Sequence, residues 1–157
     1  MQELQSDDTV NHRYKVVRKL GAGAMGSVYL CEDVVENSTR VALKVLNSTN
    51  VEGQDEWAKG EYEALTRLRH PNLARVYNFG RIGKTRDYFI VSEFIKGVDL
   101  YSATEYVNYE ELNEILVQTC RALEYIHSRG YIHFDVKPDN ILVTRHKTCL
   151  FYTSPRP

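Results

Sequence analysis

Residues 133–140 read His-Phe-Asp-Val-Lys-Pro-Asp-Asn and run directly into the apolar triplet Ile141-Leu142-Val143. The proline makes this a rigid loop, and the triplet predicts a strand that anchors it. An acid (Asp135), a cation two residues later (Lys137) and an amide five residues later (Asn140) are thereby gathered around one turn of chain. A carboxylate accepts a hydroxyl proton, an ammonium neutralises a transferring phosphoryl group, and an amide oxygen holds a divalent metal. Those are the parts that phosphoryl transfer requires from a protein.

The rest of the chain offers little competition to that reading. With 43% hydrophobic and 26% charged residues in 157, it has the make-up of an ordinary soluble globular domain. A net charge of −1 gives no argument for a nucleic-acid or membrane partner. No apolar run approaches the roughly 20 residues a membrane helix needs. Met1–Val10 carries Glu3, Asp7 and Asp8 without an apolar core, which argues against a signal peptide. Cys31, Cys120 and Cys149 are odd in number and far apart, as expected of reduced thiols in a cytoplasmic protein. Asn37-Ser38-Thr39 and Asn47-Ser48-Thr49 match the glycosylation pattern, but without a secretory signal both read as chance.

Residues 1–12 are polar and expected to fray. Strands are predicted over Tyr14–Leu20, Ser27–Cys31 and Arg40–Leu46, the first two joined as a hairpin across a glycine-rich turn. Over Gln54–Arg69 the period changes. Trp57, Glu61, Ala64, Leu65 and Leu68 share one helical face, and His70-Pro71-Asn72 stops the helix. Two further strands are predicted near Ala74–Phe79 and Tyr88–Glu93, separated by the basic turn Arg81–Arg86. Glu111–Ser128 is the strongest helix, with the apolar stripe Leu112, Ile115, Leu116, Thr119, Leu123 and Ile126 and Gly130 at its end. This order of elements predicts a two-lobed α+β arrangement.

Gly21-Ala22-Gly23-Ala24-Met25-Gly26-Ser27-Val28 has the spacing G-x-G-x-x-G-x-V. A dinucleotide-binding fold uses the same glycines, but there the last one opens a helix. Val28-Tyr29-Leu30 continues as a strand, so a hairpin lid over phosphates fits better than that fold or an ordinary Gly-rich turn. In Val41-Ala42-Leu43-Lys44 a lysine sits in an apolar strand, where desolvation disfavours its charge unless an anion is near. Glu61, on the apolar helix face, is the natural carboxylate partner. Glu63 points away from that face, and its default reading is a solvated helix charge.

Taken together, these segments resemble a eukaryotic-like (Hanks-type) protein serine/threonine kinase over about residues 14–143, including its H-R-D-x-x-x-x-N loop. The resemblance implies a five-stranded antiparallel small lobe with one helix, then the first helices and catalytic loop of a truncated helical large lobe. It divides the chain into a flexible N-terminus (1–12), small lobe and hinge (13–95), the start of the large lobe (96–143) and a non-matching tail (144–157). It also implies ATP and Mg2+ as cofactors and a protein Ser/Thr hydroxyl as acceptor. Gly21, Gly23 and Gly26 would cover the phosphates, with Leu20 at the start of that lid, and Val28, Ala42 and Leu142 would enclose adenine. Lys44 would hold the α- and β-phosphates and pair with Glu61. Ser92 would be the gatekeeper, Glu93 to Ile95 the hinge, and Asp99 a neighbour of the ribose. Asp135 would be the catalytic base, Lys137 would assist the γ-phosphate, and Asn140 would bind magnesium. Lysine two residues after Asp135 is similar to the serine/threonine class and unlike small-molecule kinases. The alternative is a non-catalytic, pseudokinase-like nucleotide-binding or scaffolding module.

Two positions depart from the family pattern. Phe134 replaces an arginine that usually grips a phosphorylated activation loop, which implies an enzyme not dependent on that phosphate. No Asp or Glu follows Asp139, so the metal-binding Asp-Phe-Gly segment is missing. Residues 144–157 turn basic and aromatic where a strand pair is expected to continue, and about 149–157 read as a cloning or assembly scar. An unsealed stripe on helix 111–128 would make the chain poorly soluble and inactive alone.

Overall fold

Six strands make up the first unit's sheet, and most carry apolar residues at alternate positions. They are β1 (Thr9–Val10), β2 (Tyr14–Gly23), β3 (Gly26–Asp33), β4 (Thr39–Leu46), β5 (Val76–Arg81) and β6 (Tyr88–Glu93). A computed structural model describes residues 3–23, 26–46, 54–83 and 87–151, without the side chains of residues 54–58, 61, 64 and 151. The chain divides into two compact units, residues 1–62 with 76–94 and residues 63–75 with 95–157.

In the first unit the six strands form one antiparallel sheet in the order β1-β2-β3-β4-β6-β5. Val10, Tyr14, Val16, Tyr29, Cys31, Val41, Leu43, Val45, Phe89 and Val91 pack as its core. They alternate along their strands, as the two-residue period of a pleated strand requires. Full burial of each larger side chain stabilises the fold by about 1.5–3 kcal/mol. A further aromatic stack runs from Tyr62 through Phe79 to Tyr88, each pair of rings 5.2 Å apart. The sheet has one strand more than expected. Residues 9 and 10 are paired to β2 rather than frayed, because Val10 has a place in the core to fill.

The edge strands of this sheet, β1 and β5, are joined by side chains. Asn11 Nδ2 donates to the Arg81 carbonyl (2.8 Å) and Asn11 Oδ1 accepts from Gly83 N (3.1 Å). Farther in, Asn78 Nδ2 donates to the Tyr14 hydroxyl at 2.8 Å. These bonds tie the β1–β2 turn to the end of β5, a device that limits edge exposure without ladder pairing.

The second unit holds α2 (Leu100–Ala103), α3 (Tyr109–Ser128) and the antiparallel strands β7 (Gly97–Asp99), β8 (Ile141–Thr144) and β9 (Cys149–Phe151) in the order β7-β8-β9. Helix α1 (Gln54–Arg67) precedes it and ends two residues earlier than expected. Helix α3 begins at Tyr109 instead of Glu111, because Asn108 and Glu111 form a reciprocal capping box. At its other end Gly130, at φ 79°, donates to the His127 carbonyl at 2.9 Å. Of the expected stripe, Ile115, Thr119 and Ile126 are buried, joined by Ala122, while Leu116 is 43% exposed.

Half of that stripe, Ile115, Thr119 and Ile126, is sealed by the chain itself. Ile115, Ala122 and Ile126 pack with Leu68, Leu73, Ala103, Ile141, Val143 and Cys149 in one core. The expectation of a broken strand pair after Val143 is likewise corrected, since residues 149–151 pair with β8. The buried Cys149 is held by its neighbours: its N–H donates to Gln118 Oε1 (2.9 Å), its carbonyl accepts from Asn72 Nδ2 (2.8 Å), and its Sγ lies 3.2 Å from Thr119 Oγ1. Sequence pattern missed this because three residues of strand carry no period of their own. Residues 152–157 of the suspected scar lie outside the described residues. No helix among the described residues is long and apolar enough to cross a membrane.

Candidate active site

The glycine-rich segment is a β-hairpin, as expected, and the strand after Gly26 removes the dinucleotide-fold reading. Across it Gly21 faces Val28, Ala22 faces Ser27 and Gly23 faces Gly26, with Ala24 and Met25 outside the described residues. The three glycines are not equivalent. A Cβ on Gly26 would stand 1.9 Å from the Val45 carbonyl oxygen, at φ 139°, so the sheet itself demands glycine there. At Gly21 and Gly23 a Cβ would meet nothing within 4 Å. The fold alone gives no reason for glycine at those two positions, whereas a ligand approaching the backbone closely would.

Val28, Ala42 and Lys44 share the sheet face opposite the core. Strand register sets Val28 beside Lys44, Ala42 beside Ser92, and Lys44 beside Ile90. Ala42 and Ser92 are buried, while Val28 and Lys44 are half-buried. Thus the predicted adenine, phosphate and gatekeeper positions of this unit form one contiguous patch. The Glu61 side chain, expected to pair with Lys44, lies outside the described residues. Leu20 is exposed just before Gly21, and half-buried Glu93 closes β6 opposite Val41.

In the second unit the loop 133–140 is held by its own polar groups. Asn140 Nδ2 donates to the Asp135 carbonyl and to Asp135 Oδ2, both at 2.8 Å. Lys137 Nζ lies 3.2 Å from the same Oδ2. The 3-10 turn Pro138–Asn140 closes the loop, with Asn140 N donating to the Lys137 carbonyl at 3.0 Å. Burial pushes the Asp135 carboxyl up, but the bonds from Asn140 and Lys137, with the Lys137 charge, outweigh it and hold the group below the ordinary carboxylate range. Both partners bind Oδ2. No bond to Asp135 Oδ1 or Asn140 Oδ1 accompanies these among the described residues.

His133, 1% exposed, was not singled out from sequence; its Nδ1 accepts from Asp135 N at 3.2 Å and so fixes the Asp135 backbone. Its signal was available only as a histidine two residues before the acid. Phe134 is 63% exposed and sits at φ 61°, a conformation L side chains rarely adopt. Asp99 and Leu142 face each other across β7 and β8, and Ile95 is buried two residues before β7. The Asp99 carboxylate caps α2, accepting from Ser102 N (2.9 Å) and Ser102 Oγ (2.8 Å), which hold its carboxyl below the usual range. Nearby, a Cβ on Gly97 would lie 2.6 Å from the Val143 carbonyl oxygen, so glycine there brings β7 against β8. Among the described residues, no three His, Cys, Asp or Glu side chains cluster as a ready metal site.

A family model described as the protein kinase domain matches residues 14–150. The chain is 31% identical over 149 residues to serine/threonine-protein kinase DCLK1 of Rattus norvegicus, covering 92% of this chain and 33% of that protein. It is 34% identical over 145 residues to the probable serine/threonine-protein kinase PknB of Lactococcus lactis, covering 87% of this chain and 22% of that protein. Among solved structures, the Mycobacterium tuberculosis PknI kinase domain superposes with a TM-score of 0.76 at 31% identity, covering 97% of this chain and 61% of that one. The chain thus spans a third or less of the length of these curated relatives.

Proposed function

This chain belongs to the protein kinase family, and on that premise we propose that the protein transfers the γ-phosphate of ATP to a serine or threonine hydroxyl of another protein. The observation that carries the proposal is the Asp135 carboxylate, ionised and held through Oδ2 by Asn140 and Lys137 with Oδ1 left over. A base so arranged takes the acceptor proton without having to reorient. ATP would supply the transferable group and Mg2+ the neutralisation of its developing charge.

The residues present fit these ligands. Open space at Gly21 and Gly23 lets backbone N–H groups approach phosphate oxygens, and Lys44 on the same unit carries the positive charge they need. Val28 and Ala42 offer an apolar surface for adenine, bounded by Ser92 and by Glu93 at the start of the hinge through Ile95. In the second unit the family resemblance assigns Leu142 to adenine, Asp99 to the ribose, Lys137 to the transferred phosphoryl and Asn140 Oδ1 to the metal. Glu61 would pair with Lys44, as the family resemblance implies. Cytoplasmic residence fits the thiols: Cys31, Cys120 and Cys149 are all unpaired, and burial pushes the Cys31 thiol up to about 12.

Phosphate transfer from γ-labelled ATP to a serine- and threonine-containing acceptor protein tests this directly. Transfer that needs Mg2+ and falls at least about 100-fold in Asp135→Asn supports it. ATP binding without transfer at any metal concentration would indicate a nucleotide-binding scaffold instead. Loss of ATP binding in Lys44→Met, set against the unaltered protein, checks the phosphate assignment separately.

A further inference from the structure

We propose that residues 3–10 brace the glycine hairpin, with Ser6 and Glu3 acting as positioning residues for Leu20 and the glycines after it. The inference rests on the proposed kinase function, in which that hairpin covers a nucleotide. Its evidence is the register of β2 on β3, which slips twice. Val16 faces Cys31 but Arg18 faces Leu30, and Lys19 faces Tyr29 but Gly21 faces Val28. Val17 and Leu20 are therefore the extra residues of two irregularities, and such irregularities bend a strand and re-aim the residues beyond them.

Residues 3–10 run antiparallel to β2 and reach both places. Val10 faces Tyr14 and Thr9 faces Lys15. Asp7 N donates to the Val16 carbonyl at 2.9 Å, and Val16 N donates to the Asp8 carbonyl at 2.8 Å. Then Ser6 Oγ donates to the carbonyl of Val17, the first extra residue, at 3.0 Å. Finally Lys19 Nζ donates to Glu3 Oε1 at 2.5 Å, on the residue that precedes Leu20, the second. Val10 and Leu4 fasten the segment to the core, and a turn in which Gln5 N donates to Asp8 Oδ2 at 2.7 Å shapes it. The segment thus ends where the strand bends toward its glycines. A bend with no partner on its outer side would let the hairpin swing; here its aim is set by one hydroxyl and one ion pair. Lys19 and Glu3 are exposed enough, at 38% and 59%, for salt to loosen the second of these.

The test is hydrogen exchange in the nucleotide-free protein together with an ATP titration. In the double variant Ser6→Ala, Glu3→Gln, amide exchange from Leu20 to Val28 should accelerate several-fold, while Val41–Val45 stays protected and reports an intact sheet. The ATP Kd should rise roughly two- to fivefold. The swapped pair Glu3→Lys with Lys19→Glu should restore the ion pair and reverse most of its share. Unchanged exchange at 20–28 overturns the brace, and faster exchange with an unchanged Kd overturns the positioning role. If the unaltered protein binds no ATP, the nucleotide reading fails instead, and the exchange data decide the brace alone.

Discussion

The three glycines of the hairpin separate the demands of the fold from those of a ligand, and alanine substitution should make that visible. At Gly26 an added Cβ would sit 1.9 Å from the Val45 carbonyl oxygen, where real contacts stay beyond 3.0 Å, so at least 1.1 Å of movement is required. The obstacle is backbone, and Gly26 pairs with Leu46 within the sheet, so β4 cannot simply give way. Overpacking of this kind costs about 1–3 kcal/mol, and a non-glycine residue at φ 139° adds about 1–3 kcal/mol of backbone strain. Gly26→Ala should therefore lose roughly 2–6 kcal/mol, which lowers Tm by about 4–24 °C for a chain of this size.

Gly21→Ala and Gly23→Ala create no contact within 4 Å and should change stability by less than about 0.5 kcal/mol. Their effect should appear in ATP affinity, weakened roughly tenfold if the backbone there meets phosphate. Urea melts followed by circular dichroism give the first quantity and a nucleotide titration the second. Should Gly26→Ala melt with the parent, or Gly21→Ala be as unstable as Gly26→Ala, the steric argument is wrong.

Asn11→Ala loses two bonds between the sheet edges and a residue type tolerant of φ 49°, and should cost about 1–3 kcal/mol; Asn11→Gly isolates the bonds at about 1 kcal/mol, both read from urea midpoints. Asp33 is held below the usual range chiefly by its hydrogen bonds from Arg13, with burial opposing. A depressed folded pKa contributes stability above the ordinary carboxylate range, lost as pH falls through the folded value, so Asp33→Asn should flatten the acid side of a Tm-against-pH curve. Lys137→Met removes one of the groups lowering Asp135, so the acid limb of the transfer rate should shift to higher pH; a limb that stays put would remove Lys137 from that role. Phe134→Asn relieves a left-handed aromatic residue and should stabilise by about 1 kcal/mol in a thermal melt. Because Phe134 carries no charge for a phosphate, phosphatase treatment should leave transfer activity unchanged.

Much of this architecture was legible because its signals are periodic or chemically dense. Strand β6 was bounded correctly at Tyr88–Glu93, and β4 missed only Thr39, since β-branched and aromatic runs leave little choice. What escaped were elements too short for a period. Strand β1 is two residues long and β9 three, and β9 is held by pairing with β8 and by the bonds that Asn72 and Gln118 make to Cys149, 77 and 31 residues distant. The capping residue Asn108 was readable in principle, with Glu111 three positions on, but the apolar stripe drew the boundary inward. Asp99 illustrates the reverse case: it was picked out by resemblance, and what the structure shows of it is the cap it makes on α2 through Ser102.

The candidate site residues stand out in the sequence more readily than the fold that carries them, and the reason is physical. Asp135, Lys137 and Asn140 constrain one another through bonds spanning at most five residues, so their chemistry is nearly complete within a single loop. Val28, Ala42 and Lys44 depend on strand register instead, yet one β3–β4 hairpin sets that register, and a slip by one residue would turn Lys44 into the core. Each unit therefore sets the arrangement of its own candidate groups locally. The support around that chemistry, from His133 beneath Asp135 to Glu3 and Ser6 beside the bends of β2, carries no such local signature. An ordinary serine or glutamate gains its role only once the chain has folded back on itself, and substitutions at these unmarked supports are where sequence reasoning and measurement should diverge most.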